Sequence, residues 1–512
     1  MKILTTNQMK FAEGCAVDAG ISELRLMTNA GNGAFKKICA VMGESLADAE
    51  CVVLCGSGNN GGDGFVVARR LAERSSRVTA VLVNSLPKTA CAQSMYERCK
   101  ESSCEILDLD FDKPAVLTRL LSARVVVDAV FGTGFHGILP EKHRELFAIV
   151  NESEAVTFAL DLPSGVNADT GETSPDTLSA DYTIVFGALK RGHVLRPQSE
   201  VFGKLSVIAI GIPDKAFGLL PEALTAVDSE YAKNALPARK TASNKGDYGK
   251  LLIIAGSENM SGAAALSVLG ALRTGVGLCT LASVKTVIDR TASGIYEPTY
   301  ITLFANADGC ISAENKPLLR EKLKGFCAVC IGMGMGVCED TREIVKSVLK
   351  NADCPVILDA DGLNVIASDI NILKDTKADV IITPHPGEMA RLVGKTALQV
   401  NESRLETAAD FAYEYGVTVV LKGKNTVVCA PDGSMFVNLT GNSGLARGGS
   451  GDILSGMIAS FAAQGVDLTD AAACGVYFHG LAADRAAASS SLRGMLPSDL
   501  FKALPKVLQE AE

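Results

Sequence analysis

Short runs of Val, Ile, Leu and Cys alternate along the whole chain with stretches in which apolar residues recur at helical spacing. This alternation predicts parallel sheets covered by helices on both faces. In the first half the predicted strands are Cys51 to Cys55, Arg77 to Val83, Arg124 to Val127, Val156 to Leu160, Tyr182 to Phe186 and Leu205 to Ile210. In the second half they are Leu251 to Ala255, Leu278 to Ala282, Ala328 to Ile331, Val356 to Leu358, Val380 to Ile382, Val417 to Leu421 and Thr426 to Cys429. No internal repeat stands out. The first strand series stops near Gly211, and a new helix is predicted over Asp228 to Leu236. A seam between them divides the 512 residues into two α/β domains, residues 1–220 and 221–512.

Composition narrows the function classes. Hydrophobic residues make up 47% and charged residues 21%, which describes a globular chain with a large core. A net charge of -9 argues against nucleic acid or an anionic membrane surface as partner. Phosphate, if bound, must then be held locally by loops and helix ends. The 15 cysteines have neither disulfide nor zinc spacing, and only 5 histidines accompany them, so the thiols read as reduced and buried. The CxxC from Cys327 to Cys330 lies in an apolar run and reads as structural. Met1 to Phe11 lacks a signal core, and the most apolar long stretch, Ser261 to Ala282, is interrupted by Arg273, so a cytoplasmic protein is expected.

Candidate chemistry in the first half sits in three loops after predicted strands. The first, Gly56 to Gly64, precedes a helical pattern over Phe65 to Arg74 and reads as an anion site at a helix start. No acidic residue ends the next strand, which weakens a redox dinucleotide reading, and no Lys-Ser or Lys-Thr follows the glycines as in a Walker loop. The other two loops are Asp128 to Gly134 and Asp161 to Asn167. Each alone has a bland reading as a turn or a helix cap. Loops beyond the carboxyl ends of parallel strands converge, so together they point to one crevice.

These three runs resemble the epimerases of the NAD(P)H-hydrate repair family, which have a Rossmann-like, doubly wound sheet, over most of Met9 to Gly211. The resemblance implies that Asn59, Asn60, Gly61, Gly62, Asp63, the stretch Gly132, Thr133, Gly134, Phe135, His136, Gly137 and Ile138, and Asp161 bind hydrated NADH or NADPH. It implies potassium held by Asn60, Asp128 and Ser164, oxygen ligands that suit a hard cation. Asp161 is the expected acid/base group. Thr28 stands where the family commonly has Glu.

In the second half the run Asn442 to Asp452 precedes a helical pattern over Ile453 to Ala462. Its glycines form a nest for a transferring phosphoryl group, and an Asp within it would repel phosphate but suits a base taking a proton from an attacking hydroxyl. An N-cap would explain Asp452 alone but not the glycines before it. With Lys245 to Gly249, Ala255 to Ala264, Asp359 to Asn364, Thr383 to Glu388 and Leu421 to Thr426, this run resembles the ADP- or ATP-dependent NAD(P)H-hydrate dehydratases, a ribokinase-like α/β/α family. The resemblance assigns Lys422, Gly423, Lys424, Asn425, Thr426 and Gly451 to the nucleotide, and Ala263, Gly334, His385 and Asp452 to the hydrated substrate. His385, between two prolines, also reads as a rigid loop residue bonded to backbone. Met333 and Asn244 depart from the usual Pro and His.

The combined expectation is a bifunctional repair enzyme, with an isomerase followed by a lyase that phosphorylates the ring hydroxyl and expels phosphate. ADP with Mg2+ is the expected phosphoryl donor, and a homo-oligomer is expected. Two other readings compete: a kinase for a thiazole or pyrimidine vitamin precursor, and an N-terminal half that is a non-catalytic binding module like those of decapping scaffolds. Thr383 to Glu388 with the N-terminal domain speaks against the first, and Asn60, Asp128, Asp161 and Ser164 together speak against the second.

Overall fold

The computed structural model describes residues 1–195, 200–220 and 223–511, so residues 221 and 222 of the predicted seam lie outside the described residues. The chain folds as two compact units, Lys2–Ala223 and Leu224–Glu512, the second also taking Met1.

The first unit contains β1 (Lys2–Leu4), β2 (Cys51–Cys55), β3 (Val78–Leu82), β4 (Glu105–Asp108), β5 (Val125–Ala129), β6 (Val156–Leu160), β7 (Tyr182–Phe186), β8 (Leu189–Lys190) and β9 (Lys204–Ile208). Seven of these form a wholly parallel sheet in the order β4-β3-β2-β5-β6-β7-β9. All five residues of β2 are buried: Cys51, Val53 and Cys55 join the core on one face, Val52 and Leu54 that on the other. An unbroken apolar run is what a strand covered on both faces requires. Strand order reverses between β2 and β5, which opens a crevice at their carboxyl ends. β1 and β8 form a short parallel pair, with Leu4 opposite Lys190, and this pairing fixes where Lys190 begins.

The second unit contains β10 (Leu224–Val227), β11 (Lys250–Ile254), β12 (Leu278–Val284), β13 (Thr299–Leu303), β14 (Ala328–Ile331), β15 (Val356–Leu358), β16 (Val380–Ile382), β17 (Thr418–Leu421), β18 (Val427–Cys429) and β19 (Met435–Asn438). They are ordered β13-β12-β11-β14-β15-β16-β17-β18-β19-β10. The expected all-parallel sheet is corrected here: β18 runs antiparallel to both β17 and β19. The reason is local. Only Lys422 to Thr426 join β17 to β18, too few for a crossover, and Gly423 (φ 150) and Asn425 (φ 56) take the positive φ of a tight reversal.

Several further expectations shift. The sequence reading omitted β1, β4, β8, β10, β13 and β19: β1 and β8 are only three and two residues long, and β4 and β13 are edge strands with exposed positions, so the burial that marks a strand is diluted. The helices predicted from Phe65 and Ile453 begin at Asn59 and Ser450, inside their glycine runs. Asp128 belongs to β5 rather than to the loop after it. All 15 cysteines are free thiols and nine are buried, but Cys15, Cys39, Cys91, Cys338 and Cys354 are only partly buried and Cys327, just before β14, is exposed, so the buried reading fails for these six. Among the described residues no helix is long and apolar enough to cross a membrane.

Candidate active sites

Most of the glycines of the first loop serve contact between helix and sheet. A Cβ on Gly56 would lie 2.0 Å from the carbonyl oxygen of Val130, and one on Gly61 would lie 1.9 Å from that of Gly56. One on Gly64 would meet the Cβ of Ala129 at 2.6 Å. The helix Asn59–Leu71 therefore abuts the ends of β2 and β5, and its free start is at Gly58, where a Cβ would meet nothing within 4 Å. This corrects the open nest expected of the whole run. Gly61 and Gly62 are buried in the first turns, while Asn59, Asn60 and Asp63 line a cavity of about 630 Å³.

The three loops do converge on that cavity. Gly132, Thr133, Gly134, Phe135 and Asp161 line it as well. His136, Gly137 and Ile138 do not: the chain turns away at Gly137 (φ 83), Leu139 is pinned by the Ser174 hydroxyl at 2.9 Å, and Ile138 is left 73% exposed. His136 pairs instead with the Asn167 amide.

Asp161 ends β6 in the left-handed region (φ 63), a conformation that persists in a non-glycine residue only when its surroundings hold it. Its N–H donates to the Ile184 carbonyl, its Oδ1 accepts from the Lys190 ammonium at 2.5 Å and from the Phe186 N–H at 3.0 Å, and its carbonyl faces Nε2 of His193 at 2.8 Å. Nδ1 of His193 accepts the Lys190 N–H at 2.9 Å, so Nε2 carries the proton that Asp161 receives. Burial pushes His193 down to about 4, which keeps that ring neutral. Asp63 is pushed well up by burial, reinforced by the charges of Asp161 and Glu13, and its Oδ1 has no partner. Glu13 is raised as well, first by burial. Glu13, Lys190 and His193 escaped the sequence reading because none lies in a glycine loop; only the fold brings them to Asp161.

Asp128 and Ser164 are fully buried and paired, with the Ser164 hydroxyl donating to Asp128 Oδ1 at 2.6 Å and its N–H to Oδ2 at 2.7 Å. Burial pushes Asp128 up to about 6. The Phe131 N–H donates to Ser164 Oγ, and a Cβ on the next residue, Gly132, would lie 3.3 Å from Cγ of Asn60. Asn60 thus joins this oxygen cluster, with its own Nδ2 buried and unpartnered.

In the second unit Gly449 (φ 101), not Asp452, caps the helix Ser450–Ala463, which removes the capping explanation for Asp452. Asp452 lies in the first turn and lines a cavity of about 1060 Å³ with His385, Gly451 and the whole hairpin Lys422 to Thr426. The Lys422 ammonium bonds Asp359 Oδ1 at 2.8 Å and lies 3.8 Å from Glu388, while Asp359 Oδ2 accepts from Ser455 at 2.5 Å. Burial pulls Lys422 down, but the two carboxylates outweigh it and hold the ammonium above its ordinary value. Burial, with Asp359, pushes Asp452 up to about 6 against the opposing pull of Lys422. An acid of this kind is an effective base only above that value. Chemistry that uses Asp452 as a base is accordingly expected to fall as pH drops through about 6 and to level off above it, which an initial-rate pH profile will check.

His385 is bonded to backbone, as one of its two readings expected, and also lines the cavity. Its Nδ1 accepts from the N–H groups of Gly387 and Glu388 as a helix cap, and its ring lines the cavity with Nε2 3.5 Å from Glu388. Ala263 and Gly334 do not line this cavity. They face one another, since a Cβ on Gly334 would lie 2.8 Å from that of Ala263, and Gly336 donates to Asp361 Oδ2 on the same side. The departures are absorbed locally: Met333 is fully buried, Asn244 caps Lys245–Tyr248, and the Thr28 hydroxyl bonds the Leu24 carbonyl within its helix. Arg404, missed in the sequence because it sits on an ordinary helical face, underlies the hairpin and donates to the carbonyls of Leu421 and Lys422.

A family model described as NAD(P)H-hydrate dehydratase matches residues 251–506, and one described as YjeF-related protein N-terminus matches residues 23–192. The bifunctional NAD(P)H-hydrate repair enzyme of Moorella thermoacetica is 36% identical over 96% of this chain and 93% of its own. That of Thermofilum pendens is 35% identical over 99% and 96%. The ADP/ATP-dependent NAD(P)H-hydrate dehydratase of Bacillus subtilis, co-crystallised with ATP and Mg2+, is 34% identical with a TM-score of 0.49, covering 56% of this chain and 99% of that one. With matches in both units and curated relatives aligned over nearly its full length, the chain belongs to the bifunctional NAD(P)H-hydrate repair enzymes.

Proposed function

We propose that residues 1–220 interconvert the R and S hydrates of NADH and NADPH, and that residues 221–512 dehydrate the S form with ADP as phosphoryl donor. The observation that carries this reading is the pair of cavities, one in each unit, the first lined by Asp161 just after β6 and the second by Asp452 in the first turn of the helix Ser450–Ala463. Asp452 takes the proton of the ring hydroxyl as that oxygen attacks the terminal phosphoryl group. The glycine-rich helix start and Lys422 balance the charge that develops. Phosphorylation turns a poor leaving group into a good one, and loss of phosphate restores the reduced ring. Mg2+, arriving with the nucleotide, would offset phosphate charge beside Lys422 and Gly451.

In the first cavity the hydroxyl-bearing ring carbon is inverted by reversible transfer of its proton or its hydroxyl, removed from one face and returned to the other, with Asp161 as the acid/base group. Asn59, Asp63 and Gly132 to Phe135 surround the hydrate. Potassium fits Asn60, Asp128 and Ser164, because a buried amide, carboxylate and hydroxyl make a hard oxygen set, and it would anchor the loop that carries Gly132.

Mixed hydrate epimers supplied with ADP or ATP, in potassium or choline chloride, test the reading through the return of reduced-nicotinamide absorbance. The wild-type chain is expected to consume both epimers with ADP. Asp161→Asn is expected to consume only the S form, leaving R to its slow spontaneous exchange. Unchanged consumption of R by Asp161→Asn would overturn the epimerase assignment.

A further inference from the structure

The first cavity holds an unusual charge arrangement. Four carboxyls, those of Asp161, Asp63, Glu13 and Glu23, line it, and the Lys190 side chain is 1% exposed yet reaches Asp161 directly. A buried ammonium is costly unless paired and hydrogen-bonded. Lys190 has both, through Asp161 Oδ1 and the Phe186 carbonyl at 2.9 Å. Its backbone is fixed at both ends, by the pairing of β8 with β1 and by its N–H bond to His193. The same His193 ring grips the Asp161 carbonyl, so lysine and aspartate are locked as one unit around a strained residue.

We propose that Lys190 is a positioning residue of the epimerase, holding the Asp161 carboxylate aimed into the cavity through the ion pair at Oδ1. The proposal rests on the epimerase reading of this unit. The groups facing Asp161 are Lys190 and His193 from the segment after β7, Asp63 from the helix Asn59–Leu71 and Glu13 from the first helix, with Glu23 and Lys10 acting on Glu13. Asp63 and Glu13, both shifted up, cannot neutralise Asp161, and His193 is neutral. Lys190 is the cation that bonds it. Phe186 N–H and Lys190 both fall on Oδ1, a geometry that fixes the plane of the carboxylate.

Lys190→Ala is expected to slow interconversion of the hydrates about 10²-fold, as loss of positioning does. It should also move the acid limb of the pH profile to higher pH, because a carboxylate without its cation takes up a proton more readily. Ethylammonium, which fits the space vacated, should restore both the rate and the limb; ethanol should restore neither. Dehydration of the S form by the same chain reports that the second unit is intact, and the melting transition of the first unit reports that the first is. If Lys190→Ala unfolds the first unit, Lys190→Arg decides: kept charge predicts the wild-type limb, and a limb displaced upward overturns the proposal. An unchanged rate or an unchanged limb in a folded Lys190→Ala protein also overturns it. Loss of interconversion in Asp161→Asn alongside that result would leave the epimerase reading standing, so the two failures are distinguishable.

Discussion

Asp452→Asn is expected to lower dehydration of the S hydrate by about 10²- to 10⁴-fold, the usual contribution of a positioned general base, while interconversion of the epimers continues at the wild-type rate. The substitution keeps volume and leaves the helix start intact, because Gly449 and not Asp452 caps it. Lys422 and Asp359 retain their bond, so the hairpin Lys422 to Thr426 keeps its support. The loss should therefore appear in kcat with little change in the KM for nucleotide. Rates are read from reduced-nicotinamide absorbance for dehydration and from chromatographic separation of the epimers for interconversion. A variant that loses both activities together would sink the two-site account, and so would one that keeps dehydration.

The second large effect is expected at Gly61. Its absent Cβ would stand 1.9 Å from the carbonyl oxygen of Gly56, a backbone atom at the end of β2 that cannot swing aside. Gly61→Ala must push the helix Asn59–Leu71 away from the strand, at a cost of about 1–3 kcal/mol or more for overpacking. Asn60 and Asp63 ride on that helix, and a displacement of about 1 Å at such a site can lower a rate about 10²-fold. Epimerase activity and the melting temperature of the first unit should both fall, with dehydration unaffected. Gly58→Ala, where a Cβ meets nothing, provides the matched comparison and should be close to neutral in stability. Equal behaviour of the two variants would refute the packing account of these glycines.

The glycine run that opens the helix Asn59–Leu71 carries two messages that the sequence superimposes. Read along the chain, Gly56 to Gly64 signals a tight strand-to-helix passage with open N–H groups, and the passage is there. Which glycines face ligand and which face protein is a question of distance across the crevice, and only Gly58 stands open. The same limit explains Asp128, which looked like a loop residue because an acid seldom sits in a buried strand; the Ser164 hydroxyl and N–H that make it tolerable there lie 36 residues away. Cys327 shows the reverse case, since an apolar run suggested burial and the thiol is exposed just before β14 begins.

The sequence by itself determined what is local and periodic: doubly covered β2, whose every residue must be apolar, the strand ends that carry Asp161, and the glycine-rich start of the helix with Asp452. It determined the family too, since the motif runs are short stretches whose chemistry depends on neighbours in the chain. Tertiary structure decided what depends on residues distant in the chain meeting. The antiparallel turn at β17 and β18 placed Lys422 against Asp359, 63 residues earlier. The pairing of β1 with β8 placed Lys190 beside Asp161, and the first helix placed Glu13 in the same cavity. A lysine in a sequence reads as surface because water solvates an ammonium best; only a buried carboxylate 2.5 Å away reverses that preference, and no pattern along the chain records such a meeting.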